Sequence, residues 1–546
     1  MADAIVIGAG PNGLVAANVL ADAGWQVEVL EAQPQPGGAV RSDRALDPGF
    51  VNDLFSSFYP LAKASPAITA LRLEQYGLAW SHAPTVLAHP LADGRCATLH
   101  RGPTATRDHL ARTFGVPDAA AWERLTALWQ TLHPHLLRSL FTPFPPIGPA
   151  AAMAARLRPT DILRTARFLT LPVRRLAEEE FTEPGAGLLL AGCALHADLL
   201  PEAAGSAAFG WLMAMLGQQV GWPVPVGGST SLTQALVRRL ESRGSRVHCS
   251  QRVVEVIVRG GKALGVRTED GQCYRARRAV LADVAATALY GGLVGWEHLP
   301  PRLRRDLRRF QWDFSTFKVD WALSGPIPWT APEAADAGTV HLGADLEELS
   351  DYAHQVATGR LPRRPFALLG QMTTADGSRS PAGTQSAWAY THVPQRIASD
   401  LGEDAITGTW DAREDAAMAE RLERQVERFA PGFRELITAR RILSPPVLQG
   451  LDENLVGGAL NGGTTAIHQQ LVFRPVPGTG RPEGPIERLY LASASAHPGG
   501  GVHGACGANA ARAALRSHRL LAGRILSPGL SAAQRLLSGD PRSGPG

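Results

Sequence analysis

Residues Ala4 to Arg41, AIVIGAGPNGLVAANVLADAGWQVEVLEAQPQPGGAVR, decide how this 546-residue chain is read. An apolar run from Ala4 to Ile7 meets Gly8-Ala9-Gly10-Pro11-Asn12-Gly13. An alanine-rich segment follows until Gly24, and a second apolar run, Val27 to Leu30, ends in Glu31. Strand, glycine turn, helix, strand is the setting in which a GxGxxG pattern signifies dinucleotide binding rather than a turn that binds nothing. Gly8 permits the tight turn, Gly10 lets the backbone approach a pyrophosphate, and Gly13 lets the helix pack close to the strand. The helix N-terminus presents N–H groups and partial positive charge to phosphates. Glu31 stands 18 positions after Gly13, near the offset of roughly 20 at which a carboxylate accepts from a ribose hydroxyl. Ala32 and Gln33 supply no arginine for a 2′-phosphate.

The residues just beyond select the ligand. Gly37, Gly38, Ala39 and Arg41 place a second stretch of bare backbone and a cation near the same site, which suits a ligand longer than NAD. The pattern resembles the FAD-binding entry of the glutathione-reductase-like flavoproteins, and FAD is the cofactor that this resemblance implies.

Composition bounds the rest. With 45% hydrophobic residues the chain can bury a large core and exceeds one ordinary domain. A net charge of +4, carried mostly by scattered arginines, argues against nucleic acid and for weak attraction to anionic membrane surfaces. Cys96, Cys193, Cys249, Cys273 and Cys506 are far apart and form no CxxC pair, so neither a redox disulfide nor a metal site is expected. The chain starts almost directly on its first strand and holds no apolar run of 18 residues. A cytoplasmic protein without a membrane span is expected.

Along the chain, Phe50, Phe55, Phe58 and Tyr59 form either a flavin-side pocket or core. Between Arg138 and Arg175, apolar residues such as Phe141, Ile147, Met153, Ile162, Leu163 and Phe168 alternate with Arg156, Arg158, Arg164, Arg167, Arg174 and Arg175. Such a basic amphipathic stretch either lies in a membrane interface or caps the fold with its arginines in water. Specific signals resume at Gly227-Gly228, where a turn leads into a helix from Ser231 to Arg243. Strands follow around Val247, Val253 to Val258, Leu264 to Thr268 and Ala279 to Leu281, with a hairpin turn at Glu269-Asp270-Gly271.

That succession is similar to the second FAD segment of the phytoene desaturase and amine oxidase superfamily, in which the position of Val253 packs on the adenine. Near the end, Leu489-Tyr490-Leu491-Ala492 leads to Gly499-Gly500-Gly501-Val502-His503-Gly504 and an alanine-rich segment. Together with the N-terminal motif this resembles the phytoene dehydrogenase-related flavoproteins, in particular the group called pyridine nucleotide-disulfide oxidoreductase domain-containing protein 2, with carotenoid desaturases as wider relatives. The resemblance implies an α/β fold: a Rossmann-like FAD domain (1–60, 216–290 and 481–525), an interleaved α+β substrate domain (61–215 and 291–480), and a flexible tail from 526 to 546. Ala282, Gly500, Gly501 and Val502 join the implied FAD contacts, and the helix from Val502 to Leu515 is expected to aim its N-terminus at the flavin's pyrimidine edge. His503, Gln470 and Arg474 are the catalytic candidates, His503 standing where relatives carry small hydroxyl residues.

The expected activity is dehydrogenation of a lipophilic substrate by hydride transfer to flavin N5, with oxygen, a quinone or diffusing NAD(P) taking the electrons. Two alternatives stand beside it: a flavin amine oxidase, and a non-catalytic prenyl-binding protein of similar fold, against which the intact glycine and Glu31 set speaks.

Overall fold

The computed structural model describes residues 1–518; the expected tail lies outside them. The quoted stretch folds as strand β1 (Ala2–Ile7), helix α1 (Pro11–Asp22) and strand β2 (Val27–Leu30). β1 and β2 are parallel neighbours in register Ala4 to Val27 through Ile7 to Leu30, as a strand–helix–strand crossover requires. Gly13 shows why the turn cannot carry side chains, since a Cβ there would stand 2.2 Å from the Gly8 carbonyl oxygen.

Around this unit a seven-stranded sheet assembles from three stretches of chain. Arg246–His248 pairs with β2, Cys273–Ala282 with β1, and Leu489–Leu491 with Cys273–Ala282, all in parallel. The Cys273–Ala282 strand has a second role. Its first residues pair antiparallel with Lys262–Thr268, which pairs in turn with Val253–Arg259.

A second seven-stranded sheet runs in the order Ile437–Leu443, Ser315–Leu323, Gln385–Val393, Ala367–Gln371, Ala337–Leu342, Thr85–Pro90, Cys96–Leu99. Strand alternation sends its residues to two faces. Phe317, Val319, Trp321, Val340, Leu342, Leu369, Ala387 and Ala389 pack with Met418, Leu422 and Val426 of the Ala412–Glu427 helix. The alternate residues, Thr316, Lys318, Trp388, Tyr390 and Thr339, face a large cavity instead.

Helices between residues 103 and 220 form the third body of core, with Trp122 and Trp211 fully buried. Most of the basic stretch belongs to this cap. Phe141 and Phe168 are buried, and Met153 and Leu157 pack against the cluster. Arg167 and Arg175 pair with Glu179, and Arg174 with Glu202 and Glu347. The one-sided charge expected from the stretch is therefore partly answered by acids just outside it. Ile147, Ile162 and Leu163 remain exposed, Leu163 at 80%.

The last described helix runs from Ala505 to His518, three residues later than expected. The preceding Gly499, Gly501 and Gly504 have φ of 114°, 98° and 65°, a left-handed region that no helix passes through. Gly507 then crosses α1 so closely that a Cβ would lie 1.8 Å from the Asn12 carbonyl oxygen.

Candidate functional site

One cavity of about 690 Å³ runs from the glycine turn to the second sheet. At its near end the wall is built from Gly8, Gly10, Pro11, Asn12, Glu31, Ala32, Gly38 and Ala39, with Val253 opposite and Gly500, Gly501 and Val502 further along. Gly13, Gly37, Arg41 and Ala282 stand behind that wall. Gly37 donates its N–H to Ala9 O, and Arg41 donates to the carbonyls of Gly38 and Leu451, so this cation shapes the loop. Glu31 accepts from the Ala9 N–H at 2.7 Å and the Gln33 N–H at 2.9 Å, which fixes the carboxylate at the tip of β2.

The three catalytic candidates lie outside the cavity wall and are consumed in supporting it. Buried Arg474 donates to the carbonyls of Asn461, Thr464 and Ala494, stapling two wall loops together. Gln470 donates to Thr464 O. His503 accepts the Ala505 N–H on Nδ1, so its Nε2 carries the proton and faces Gly499 O at 3.2 Å. It caps the last helix with a neutral imidazole, whose pKa burial holds down at about 4. The helix end expected to face the flavin is thus partly occupied by the chain itself.

Several wall residues carry no motif. Asp283 follows β-strand residue Ala282, and its Oδ2 takes the Gly13 N–H at 2.7 Å. Burial pushes its carboxyl up to about 8, with Asp452 and Glu31 adding repulsion. Asp452, held up at about 6 mainly by burial, lines the same end. An acid closing an apolar run, as in Ala279 to Asp283, is the signal that marks such a position.

Phe55 beside Arg41, Tyr59 in the core around α1 and, at the far end, Phe58 beside Trp388 line the cavity, so three of the four clustered aromatics belong to its wall. Phe50 lies elsewhere in the core. Trp388 and Tyr390 stack at 5.8 Å, and Lys318 Nζ lies 5.8 Å from the Trp388 ring centroid. Lys318 donates to Asp320 and to Asp53 O, and burial lowers its pKa. Two charges two residues apart in the run Phe317 to Leu323 were its trace in the sequence: in a strand, i and i+2 share a face.

The near end suits FAD. Its backbone is bare at Gly8, Gly10 and Gly38, a Cβ on Gly38 would press on the Gly10 Cα at 3.1 Å, and the buried Asn12 Oδ1 has no partner among the described residues. The profile of flavin containing amine oxidoreductases matches residues 12–308. This chain belongs to that family. Across 94% of its length it is 28% identical to mouse pyridine nucleotide-disulfide oxidoreductase domain-containing protein 2, covering 93% of that protein. It is 26% identical to hydroxyneurosporene desaturase of Rhodobacter capsulatus, again over 94% of this chain and 97% of the other. Cyclohexylamine oxidase from Brevibacterium oxydans shares the fold at 16% identity, with a TM-score of 0.55 over 94% of this chain and 98% of that one. The family member described here is a phytoene dehydrogenase-related FAD oxidoreductase, of mixed α/β fold with a Rossmann-like cofactor domain. Among the described residues of this flavoprotein, no helix is long and apolar enough to cross a membrane.

Proposed function

We propose that this protein dehydrogenates a lipophilic small molecule, with the glutathione-reductase-like half holding FAD and the second sheet roofing the substrate. The observation that carries this reading is the continuity of one cavity from the glycine turn to an aromatic chamber. FAD, when bound, supplies the two-electron acceptor, and the protein supplies position and electrostatics. Gly8, Gly10, Asn12, Gly38, Val253, Gly500 and Gly501 are proposed to hold it, with Glu31 at the ribose. The far wall orients the substrate and excludes water. Lys318 holds its ammonium proton against Asp320 and the Asp53 carbonyl at the edge of that chamber.

The wall favours this over amine oxidation. The carboxylates on it, Glu31, Asp283, Asp452 and Glu453, all stand at the cofactor end, while Lys318 is the charged side chain at the other. An ammonium substrate would find no carboxylate on the wall there. Anaerobic bleaching of the bound flavin tests the reading against a panel of terpenoids, lipophilic alcohols and amines. Bleaching by amines alone would replace it with the amine oxidase reading, and a purified protein without flavin would favour a binding role. We also propose that the surface around Ile147, Ile162 and Leu163, with Arg156, Arg158 and Arg164, meets membranes in which such substrates dissolve.

A further inference from the structure

The far half of the cavity offers more hydrogen bonding than the chain uses. The hydroxyls of Ser57, Thr316 and Thr339 are buried on its wall and find no partner among the described residues. Buried polar groups are ordinarily satisfied, so a set of three beside a cavity points to a ligand that satisfies them.

His196 lines the same chamber, edge-on to Trp222 with ring centroids 4.9 Å apart. Its Nε2 lies 2.8 Å from Nε2 of His341, so one of these nitrogens carries the proton between them. The other nitrogen of His341, Nδ1, is buried without a partner and faces Gly192, where a Cβ would stand 2.1 Å from it. A proton on that Nδ1 would aim an N–H at carbon, whereas a lone pair there meets only C–H. His341 is therefore the Nε2–H tautomer and donates, and His196 Nε2 accepts. Burial holds both rings neutral, His196 down at about 3. The proton of His196 must then sit on Nδ1, a donor for which no acceptor exists among the described residues.

Charge sharpens the choice of ligand. Lys318, Arg379 and Arg441 are bound up with Asp43, Asp53, Asp320 and Asp376. Three cations against four carboxylates leave no positive charge for an anionic ligand. An ammonium ligand would meet the His196 N–H, a donor, where it needs an acceptor.

We infer that the chamber takes a lipophilic molecule bearing a neutral oxygen, a hydroxyl or a carbonyl, which accepts the N–H of His196 while His341 fixes the tautomer. This rests on the oxidoreductase reading above and narrows its substrate class, setting aside bare hydrocarbons as well as amines. His341 is a positioning residue, since it acts through His196.

Four probes on one phenylethyl skeleton test it: acetophenone, α-methylbenzyl alcohol, ethylbenzene and α-methylbenzylamine. Binding to the full chain is read twice, by perturbation of the flavin absorption band and by quenching of Trp222 and Trp388, which line the chamber. The two oxygen-bearing probes should bind at least tenfold more tightly than the other two, because a site built to donate is left unpaired by an analogue without an acceptor. His196→Phe should erase the difference. His341→Gln, which keeps a donor, should preserve it, and His341→Leu should lose it while retaining fold and flavin content. Equal binding of ethylbenzene, preference for the amine, or wild-type discrimination in both His196→Phe and His341→Leu would overturn the inference. A chain that holds FAD yet binds ethylbenzene as well as acetophenone loses this inference and keeps the oxidoreductase reading. A chain without FAD loses that reading, and tryptophan quenching still decides the oxygen preference.

Discussion

Asp283 is the residue with the sharpest consequence for the cofactor. It touches the glycine turn through the Gly13 N–H and stands where the diphosphate of FAD is proposed to lie. With its carboxyl held up at about 8, it is neutral at pH 7 and charges as the pH passes that value. A carboxylate appearing beside a diphosphate repels it, so wild-type affinity for FAD should fall on the order of tenfold between about pH 7 and 9. Asp283→Asn keeps an acceptor for Gly13 and removes the charge, so its affinity should stay level across that range. Release of FAD followed by its fluorescence is the measurement, and parallel pH curves for the two proteins would contradict the assignment. The sequence marks Asp283 only as an acid closing an apolar run; its effect depends on Gly13, 270 positions away, which no local pattern reveals. Glu31, by contrast, was legible, since its spacing from the glycines is local. The free N–H of His196 was not legible at all, because it depends on which nitrogen of another ring lies against Gly192.

Among the elements, the crossing of α1 by the Ala505–His518 helix holds the cofactor turn in place. Gly507→Ala would drive a methyl into the backbone of Asn12. Overpacking of this kind costs about 1–3 kcal/mol. Because Asn12 is on the cavity wall, the variant should lose FAD as well as melting temperature. Gly148→Ala, in the Ile147–Ala154 helix, where a Cβ meets nothing within 4 Å and φ is not positive, is the control. Thermal unfolding and flavin content measured together check this, and loss of stability with full FAD retention would separate the helix from the site. The Pro159–Thr170 helix behaves differently, since its Ile162 and Leu163 are exposed while Phe168 is buried. Its apolar periodicity was visible in sequence. The division of labour was not, because whether an apolar residue faces core or water depends on distant neighbours such as Trp211, which packs on Phe168 from 43 positions away. Flotation with anionic liposomes should weaken with salt and drop severalfold in Ile147→Glu, Leu163→Glu. Neutralising Arg174, which is tied to Glu202 and Glu347, should change it little; unchanged flotation of the glutamate variant would remove the membrane proposal.

For the whole molecule, buried ionisable groups set how stability depends on pH. Burial holds His89, His497 and His503 at about 4 and His196 at about 3. The unfolded chain protonates these rings first, so their contribution is present above about 6.5 and is lost as pH falls toward 4. Asp283 and Asp313 have the opposite sign. Burial raises them to about 8 and about 7, with the Asp198 charge also acting on Asp313, so the folded chain keeps protons that the unfolded chain releases. Their contribution is lost as pH rises through those values. Cofactor-free protein should therefore melt highest between about pH 6 and 7 and less stably at pH 8 and at pH 5. A melting temperature that climbs steadily to pH 8.5 would show that the carboxyl groups ionise freely. Neither set of groups was identifiable from composition, since burial rather than residue type moves them. The first sheet was better signposted, through the turn, the hairpin and the strand patterns.

The parallel sheet joins β1 and β2 to strands from residues 246–248, 273–282 and 489–491, and α1 is closed over by residues 505–518. On the ribosome, the glycine turn is made well before the surfaces that complete it. At about 5–20 residues per second, roughly 25–100 s separate the two. Throughout that interval the flank of α1 that residues 505–518 cover has no partner and the proposed diphosphate cradle lacks its final wall. Cofactor loading then waits on residues 489–518, and the exposed flank of α1 is a surface for a chaperone in the meantime.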